Sequence, residues 1–280
     1  MSSEPKSSTP GVDVAAAAEL RTVQDLVRWA ASVFAKAGLC YGHGTDNPVD
    51  EALRLVESCL GLPHDVVGRY MTARLVAAER SEIAALVQRR VGERRPLPYL
   101  TQEAWFAGLS FYVDERVLIP RSPIAELIEQ GFEPWLGGLE VARVLDLCTG
   151  SGCIAVACAL AFDGARVDAV DIAASALDVA DINVGRYGLA GRVDLIRADL
   201  YAGVASRRYE LIVTNPPYVG GGEYAELPPE YSYEPRLALE AEEEGLACIR
   251  RILHEVPDHL APGGILVAEV GYSRPLLEER

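Results

Sequence analysis

Four consecutive residues, Asn215-Pro216-Pro217-Tyr218, place two prolines between an amide and an aromatic ring, directly after the apolar run 211–213. Proline has no amide hydrogen and a fixed φ angle, so the pair predicts a rigid loop whose carbonyl groups can face a ligand. The Asn215 side-chain oxygen and the Pro216 carbonyl could then accept the two N–H groups of a planar amide or aromatic amine. The tetrapeptide therefore predicts a site that aims a weakly nucleophilic nitrogen at an electrophile, with Tyr218 stacked on the planar group.

A glycine-rich turn lies upstream, with the order Cys148-Thr149-Gly150-Ser151-Gly152 between an apolar strand pattern and the start of a helix. Glycines at such a turn let the backbone approach a ligand closely at the N-terminus of the following helix. The turn therefore predicts a cofactor site at the end of the strand.

Acidic residues end three successive strand patterns of this region. Asp146 precedes the glycine turn, Asp171 follows Gly150 by about 20 residues, and Asp199 comes after the third pattern. A carboxylate at Asp171 can accept hydrogen bonds from both hydroxyls of a ribose, and Asp199 can accept one from an adenine amino group. Asp146 would repel a pyrophosphate, but it could orient the loop or attract an ammonium group. The glycine turn and Asp171 alone fit a nicotinamide dinucleotide as well, and the additional acids favour S-adenosylmethionine.

The elements that must position these residues follow from the hydrophobic pattern. From Arg121 onward, helical patterns alternate with short apolar strands, which is typical of a parallel sheet with crossover helices. The predicted strands are residues 143–147, 166–172, 193–198, 210–214 and 264–270. The sequence thus predicts an α/β fold with a doubly wound, mostly parallel, Rossmann-like sheet, whose carboxyl edge gathers the motifs.

The N-terminal third has a different pattern. Apolar residues recur at helical spacing from Ala15 to Ala37, and a second helix is expected at Pro48 with Asn47 as its N-cap. Two prolines in the stretch 94–98 cannot continue a helix, which places a linker there, followed by a hairpin over 104–113. The predicted organisation is a disordered leader (1–14), a small helical domain (15–95), a linker and hairpin (96–120) and a catalytic α/β domain (121–280).

Composition and charge limit the classes of function. The chain has 280 residues, is 50% hydrophobic and carries a net charge of -15, so it can bury a sizeable core, whereas a broad DNA-binding surface is disfavoured. The longest apolar run, 153–162, is shorter than the ~20 residues that cross a bilayer, and residues 1–11 lack the apolar stretch of a secretory signal. The six cysteines and four histidines show no metal-ligand spacing. We expect a cytoplasmic protein with no metal, no membrane and no direct nucleic-acid partner.

These residues resemble the N(5)-glutamine methyltransferases, a family that includes release-factor and ribosomal-protein enzymes. The resemblance runs from about Ala15 to the last residue, and its specific pieces include the segments 98–101, 104–106 and 111–121 besides the two motifs. It implies an S-adenosylmethionine-dependent enzyme that methylates the side-chain amide of a glutamine. The expected cofactor-binding residues are Asp146, Cys148, Thr149, Gly150, Ser151, Gly152, Asp171, Ile172, Asp199, Leu200 and Asn215, and the expected catalytic residues are Asn215, Pro216, Pro217 and Tyr218.

Within the family, the segment 121–127 resembles the branch that acts on the large-subunit ribosomal protein L-three. Release-factor enzymes instead tend to carry a proline and an acid directly after the arginine at position 121. The resemblance therefore implies ribosomal protein L-three as the substrate, recognised by the helical domain 15–95, with a peptide chain release factor as the alternative.

Glutamates are concentrated just after the tetrapeptide. From Glu223 to Glu244 there are eight glutamates and one arginine, Arg236. We hypothesise that this segment attracts a basic protein substrate and raises the encounter rate, although a charged run is more often a solvated face.

Three other classes of function fit parts of the sequence. An amino-directed DNA methyltransferase would use the same tetrapeptide, but it needs a basic groove and a route for base flipping. A nicotinamide-dependent oxidoreductase would use the glycine turn and Asp171 and would leave the tetrapeptide without a role. A non-catalytic binding module would keep its function after Asn215→Ala.

The resemblance also bears on the C-terminus. Members of the family continue after the fifth strand into an antiparallel hairpin, and the printed chain stops at Arg280 without it. We expect an open sheet edge and lower stability than in a chain extended by the hairpin.

Overall fold

The computed structural model describes residues 12–63, 66–271 and 277. The chain divides into two compact units, Met1–Thr101 and Gln102–Arg280. The expected leader lies outside the described residues up to position 11, and the first helix begins at Val14.

The first unit is helical and has its own apolar core. Leu26, Phe34, Leu55 and Val87 are fully buried in it, as the helical spacing of apolar residues predicts. A short 3-10 helix, Val67–Tyr70, accompanies the α-helices. The α-helices of this unit are α1 (Val14–Glu19), α2 (Val23–Lys36), α3 (Pro48–Leu60), α4 (Ala77–Glu93) and α5 (Leu97–Thr101).

The single helix predicted from Ala15 to Ala37 is wrong, because the segment forms two helices. Thr22 adopts extended backbone, its hydroxyl accepts the Asp25 N–H, and the Asp25 carboxylate accepts the Thr22 N–H. This reciprocal capping box starts α2 at Val23 and separates it from α1. The Asn47 cap and the start of α3 at Pro48 are confirmed.

The proline stretch 94–98 contains more helix than predicted. Arg94 takes a left-handed conformation, with φ 55°, and ends α4. A short helix, α5, then begins at Leu97 and includes Pro98 in its first turn, where the missing amide hydrogen costs no helical hydrogen bond.

The second unit contains an antiparallel hairpin, a five-stranded sheet and covering helices. All neighbouring strands of the sheet are parallel, in the order β5-β4-β3-β6-β7, which confirms the α/β class. The strands are β1 (Ala104–Phe106) and β2 (Leu109–Phe111) in the hairpin, then β3 (Arg143–Leu147), β4 (Arg166–Asp171), β5 (Val193–Arg197), β6 (Tyr209–Thr214) and β7 (Leu260–Ala268). The helices are α6 (Ile124–Glu129), α7 (Cys153–Ala161), α8 (Ala174–Arg186), α9 (Gly221–Tyr224), α10 (Arg236–Leu239) and α11 (Ala247–His259).

The first four predicted sheet strands agree with the structure to within one residue, whereas β7 begins at Leu260 rather than at Gly264. Pro262 and Gly263 are typical turn residues, so the sequence pattern predicted that this strand begins after them. A register shift opposite Tyr209 and Leu211 accommodates them.

The two faces of the sheet bury different side chains. Val144 and Val213 pack on the side of α7, while Leu145 and Ile212 pack on the side of α11. From β3 the chain adds β4 and β5 on one side of this strand, and it then returns to add β6 on the other side of β3. This change of direction opens a crevice at the carboxyl ends of β3 and β6.

Candidate active site

A cavity lies at this carboxyl edge, wholly within the second unit. It brings together parts of the glycine turn, the acids after β4 and β5, and the tetrapeptide after β6. Of the predicted site residues, those that line it are Cys148, Thr149, Gly150, Ser151, Asp171, Ile172, Asp199, Leu200, Asn215 and Pro217. Asp146, Gly152, Pro216 and Tyr218 do not line the cavity and lie behind its wall or beside it.

The glycine turn has the backbone that its residues predict. Gly150 and Gly152 have φ angles of 56° and 77°, and a Cβ added at Gly152 would lie 3.1 Å from the Cβ of Ala180 in α8. Both conformation and space therefore favour glycine at position 152. Cys148 also has a positive φ, of 60°, which is a strained conformation for a residue with a side chain.

Asp146 supports the turn from below. Its Oδ2 accepts hydrogen bonds from the Thr149 hydroxyl, at 2.5 Å, and from the Ala155 N–H, at 3.1 Å. The side chain is fully buried, and burial raises its pKa from 3.8 to about 7 despite the two hydrogen bonds that stabilise its charge. Of the two roles that the sequence allows for Asp146, this geometry supports orientation of the loop.

Asp171 is held in a fixed orientation at the cavity. Its two oxygens accept the N–H groups of Gly150 and Ala173, both at 2.9 Å. Burial raises the pKa of Asp171, although these two hydrogen bonds favour its charged form. The next residue, Ile172, is 51% exposed and presents an apolar side chain to the cavity.

Asp199 is partnered by a residue that the sequence did not reveal. Its Oδ2 accepts a hydrogen bond from the Arg251 guanidinium of α11, at 2.9 Å. Both side chains remain about half exposed, so the pair contributes little to stability.

The tetrapeptide begins directly after Thr214, the buried last residue of β6. The Thr214 hydroxyl donates to the Leu147 carbonyl of the adjacent strand, at 2.9 Å. Asn215 then lines the cavity, and no hydrogen bond engages its side chain within the described residues. The Tyr218 hydroxyl donates to Glu269 Oε1, at 2.6 Å, and burial, followed by this hydrogen bond, raises the pKa of Tyr218.

The segment before α6 forms another wall of the cavity, which sequence reasoning missed. Arg121 forms a bidentate ion pair with Glu234, with N–O distances of 2.6 and 2.9 Å, and the Ile119 N–H donates to the same carboxylate. The Arg121 guanidinium also lies 5.6 Å from the ring centre of Tyr231. Pro120, directly before Arg121, is a residue type that favours a rigid turn, but nothing in the sequence indicates the partner of Arg121.

Two cysteine thiols face each other in the cavity wall. Cys148, on the glycine turn, and Cys248, on α11, both line the cavity and both are free. A hydrogen bond between the thiols raises the pKa of Cys148 and lowers that of Cys248. Of the two, Cys248 is the more acidic thiol.

Two features are absent from the described ranges. No helix in them is long and apolar enough to span a bilayer. They also contain no group of three or more potential His, Cys, Asp or Glu metal ligands.

The parallel sheet, the glycine turn at the end of β3 and the tetrapeptide at the end of β6 define a Rossmann-like methyltransferase. A family model for the methyltransferase small domain matches residues 132–227. A curated ribosomal protein uL3 glutamine methyltransferase from Xanthomonas campestris pv. campestris is 56% identical over 92% of this chain and 84% of its own length. Its counterpart from Xylella fastidiosa is 52% identical over 94% of this chain and 84% of its own length. The chain belongs to the ribosomal protein uL3 glutamine methyltransferase family.

Solved structures of other proteins are similar to part of this chain. A ribosomal protein L11 methylase from Lactobacillus delbrueckii subsp. bulgaricus is 20% identical, with a TM-score of 0.42 over 60% of this chain and 70% of that chain.

Proposed function

We propose that this protein transfers a methyl group from S-adenosylmethionine to the side-chain amide nitrogen of a glutamine in ribosomal protein uL3, the protein called L-three above. The observation that carries the proposal is that Asn215 lines the same cavity as the glycine turn and Asp171. The curated relatives at 52% and 56% identity are named for uL3 and not for a release factor, so the release-factor alternative is not favoured.

The cavity residues fit S-adenosylmethionine. The Asp171 carboxylate is oriented by two backbone N–H groups and keeps lone pairs for the two ribose hydroxyls. Ile172 offers an apolar surface to an adenine ring, and the Asp199 oxygen that Arg251 does not engage can accept from the adenine amino group. When bound, this cofactor supplies an electrophilic methyl group on a sulfonium.

The residues of the tetrapeptide bind and orient the glutamine amide. The Asn215 side-chain oxygen and the Pro216 carbonyl accept its two N–H groups, which raises the electron density on nitrogen and fixes its direction. Tyr218 covers the planar group and excludes water. No general base is required beforehand, because the nitrogen can release its proton after the new N–C bond has formed.

The remaining parts of the chain are assigned by the same proposal. The helical segment 15–95 selects the protein substrate, and no nucleic acid takes part directly. The six free cysteines suit a reducing compartment, which supports the cytoplasm as the location of the reaction.

Methyl transfer from labelled S-adenosylmethionine tests the proposal directly. The wild-type chain is expected to label one glutamine of purified uL3, located by peptide mapping. Asn215→Ala should lower kcat by about 100-fold or more, the range seen when one aligned polar group is removed from an active site. The matched control is Asn47→Ala, which removes the cap of α3 and should reduce stability by about 1 kcal/mol without lowering kcat.

Two results would contradict the proposal. One is label on a release factor and none on uL3. The other is an Asn215→Ala variant with wild-type kcat.

A further inference from the structure

Tyr218 is held at two points by residues that follow β7. Its hydroxyl donates to Glu269, at 2.6 Å, and its ring lies against Gly271. A Cβ added at Gly271 would lie 2.6 Å from Cε2 and 2.8 Å from Cδ2 of that ring. The Glu269 N–H also donates to the Thr214 carbonyl, at 3.0 Å. Residues 269–271 therefore fix the backbone just before the tetrapeptide and the side chain at its end.

The hydrogen bond between Tyr218 and Glu269 is short, and it involves a carboxylate that is partly removed from water. At 2.6 Å it has the length of a charge-assisted O–H to carboxylate bond. The second carboxylate oxygen, Oε2, is buried and accepts no hydrogen bond within the described residues. Loss of the tyrosine hydroxyl would leave a carboxylate with little compensation for its lost hydration.

A tyrosine needed only to fill space does not require such a partner. Phenylalanine beside an apolar residue would occupy the same volume without the cost of desolvating a carboxylate. The pair restricts the direction of the ring, and Gly271 leaves the room that this direction needs. Because Tyr218 directly follows the two prolines, its ring direction determines how the tetrapeptide closes on a planar group.

We propose that Glu269 is a positioning residue for methyl transfer, which acts through the Tyr218 hydroxyl to hold the aromatic ring over the substrate amide, with Gly271 providing the space for that ring. This inference rests on the proposed function, in which Tyr218 covers the glutamine amide.

A double-mutant cycle on kcat and on thermal stability tests it. Glu269→Leu and Tyr218→Phe should each lower kcat about tenfold, the effect expected for one hydrogen bond to a charged group, with KM for the cofactor nearly unchanged. The double variant should lose no more than either single variant, because each removes the same interaction. Glu269→Gln, which keeps an acceptor of the same size, should restore kcat to within about threefold of wild type.

A matched control separates positioning from stability. The Tyr187 hydroxyl donates to the Ser110 carbonyl, at 2.8 Å, in the same unit and outside the cavity lining. Tyr187→Phe should lower the melting temperature and leave kcat unchanged.

Gly271→Ala should lower kcat although both hydrogen-bond partners remain, because the added Cβ displaces the ring of Tyr218.

The proposal is overturned if the losses in kcat from Glu269→Leu and Tyr218→Phe add, or if Glu269→Gln is as slow as Glu269→Leu. Absence of coupling between the two sites in the thermal melts would also overturn it, whatever the substrate. Failure of the proposed function would appear differently, since the wild-type chain itself would then transfer no methyl group to uL3.

Discussion

A single carboxyl group, that of Asp146, joins the sheet to the glycine turn. It has no access to solvent, and among the described residues two donors and no cation are bonded to it. The cost of desolvating the charged carboxylate outweighs the stabilisation that the two hydrogen bonds give it, so the pKa of Asp146 rises to about 7. Near neutral pH the group therefore changes its protonation state while it supports the loop that lines the cavity.

This raised pKa makes a prediction for stability at the residue scale. The folded-state pKa lies above the unfolded value, so between these two pKa values the folded protein binds more protons than the unfolded chain, and the contribution of Asp146 to stability falls as pH rises. Asp146→Asn keeps the side-chain shape and does not titrate. The free energy of unfolding of wild type, relative to this variant, should fall by about 1 to 3 kcal/mol between about pH 5 and pH 8. Urea unfolding at a series of pH values measures it, and a difference that stays constant would refute the assignment.

At the scale of elements, an ion pair fastens the segment around the 3-10 helix Pro229–Tyr233 to the cavity. Arg121 and Glu234 are joined by two hydrogen bonds, and Glu234 is also bonded to the backbone of Ile119. The Glu234 carboxylate is fully buried. The pair therefore holds two walls of the cavity in a fixed geometry, which a planar guanidinium does better than an ammonium.

Arg121→Lys keeps the charge and removes the second hydrogen bond. We expect kcat/KM to fall about tenfold and the free energy of unfolding to fall by about 1 to 3 kcal/mol. The control is Arg207→Lys, which alters an arginine bound to Asp168, at 2.6 Å, outside the cavity lining. It should cost stability alone, and an equal loss of kcat/KM in both variants would contradict a role for Arg121 in the geometry of the site.

The contrast between these elements and the strands shows how far sequence reasoning reaches. The strand β3 has the predicted bounds, because an uninterrupted apolar run followed by glycines leaves few alternatives. The partners Arg121–Glu234, Asp199–Arg251 and Tyr218–Glu269 are separated by 113, 52 and 51 residues. Local spacing carries no information on such pairs. They can be predicted only once the order of the strands in the sheet is known. Thr22 was missed for another reason, since its capping box with Asp25 lies within an unbroken helical pattern.

At the scale of the whole molecule, the charge of -15 is distributed less simply than the sequence suggests. Of the glutamates between positions 223 and 244, Glu230 and Glu234 are buried, and Glu240 is paired with Arg236. Glu243 is paired with Arg250. Other exposed glutamates of the segment that remain for long-range attraction are Glu223, Glu226 and Glu242. Steering of a basic substrate by this segment should therefore be weaker than its total charge implies.

Rapid-mixing measurements of association with uL3 at increasing salt test this expectation. The association rate should fall by about three- to tenfold as salt screens the field. The triple variant Glu223→Gln, Glu226→Gln and Glu242→Gln should be slower at low salt and less sensitive to it.

The matched control changes three exposed acids elsewhere in the same unit, Glu129→Gln, Glu140→Gln and Asp178→Asn. It removes the same net charge and should alter the rate less. An association rate independent of salt in the wild-type chain would dispose of steering altogether.

Under the proposed function, the change of direction at β3 divides the sheet into a half that binds the methyl donor and a half that binds the acceptor. The loops after β3, β4 and β5 carry the glycine turn, Asp171 and Asp199, whereas the tetrapeptide and Glu269 follow β6 and β7. Recombination or insertion confined to the loops directly after β6 and β7 would therefore give such a sheet a new recipient for the methyl group while the glycine turn, Asp171 and Asp199 stay in place.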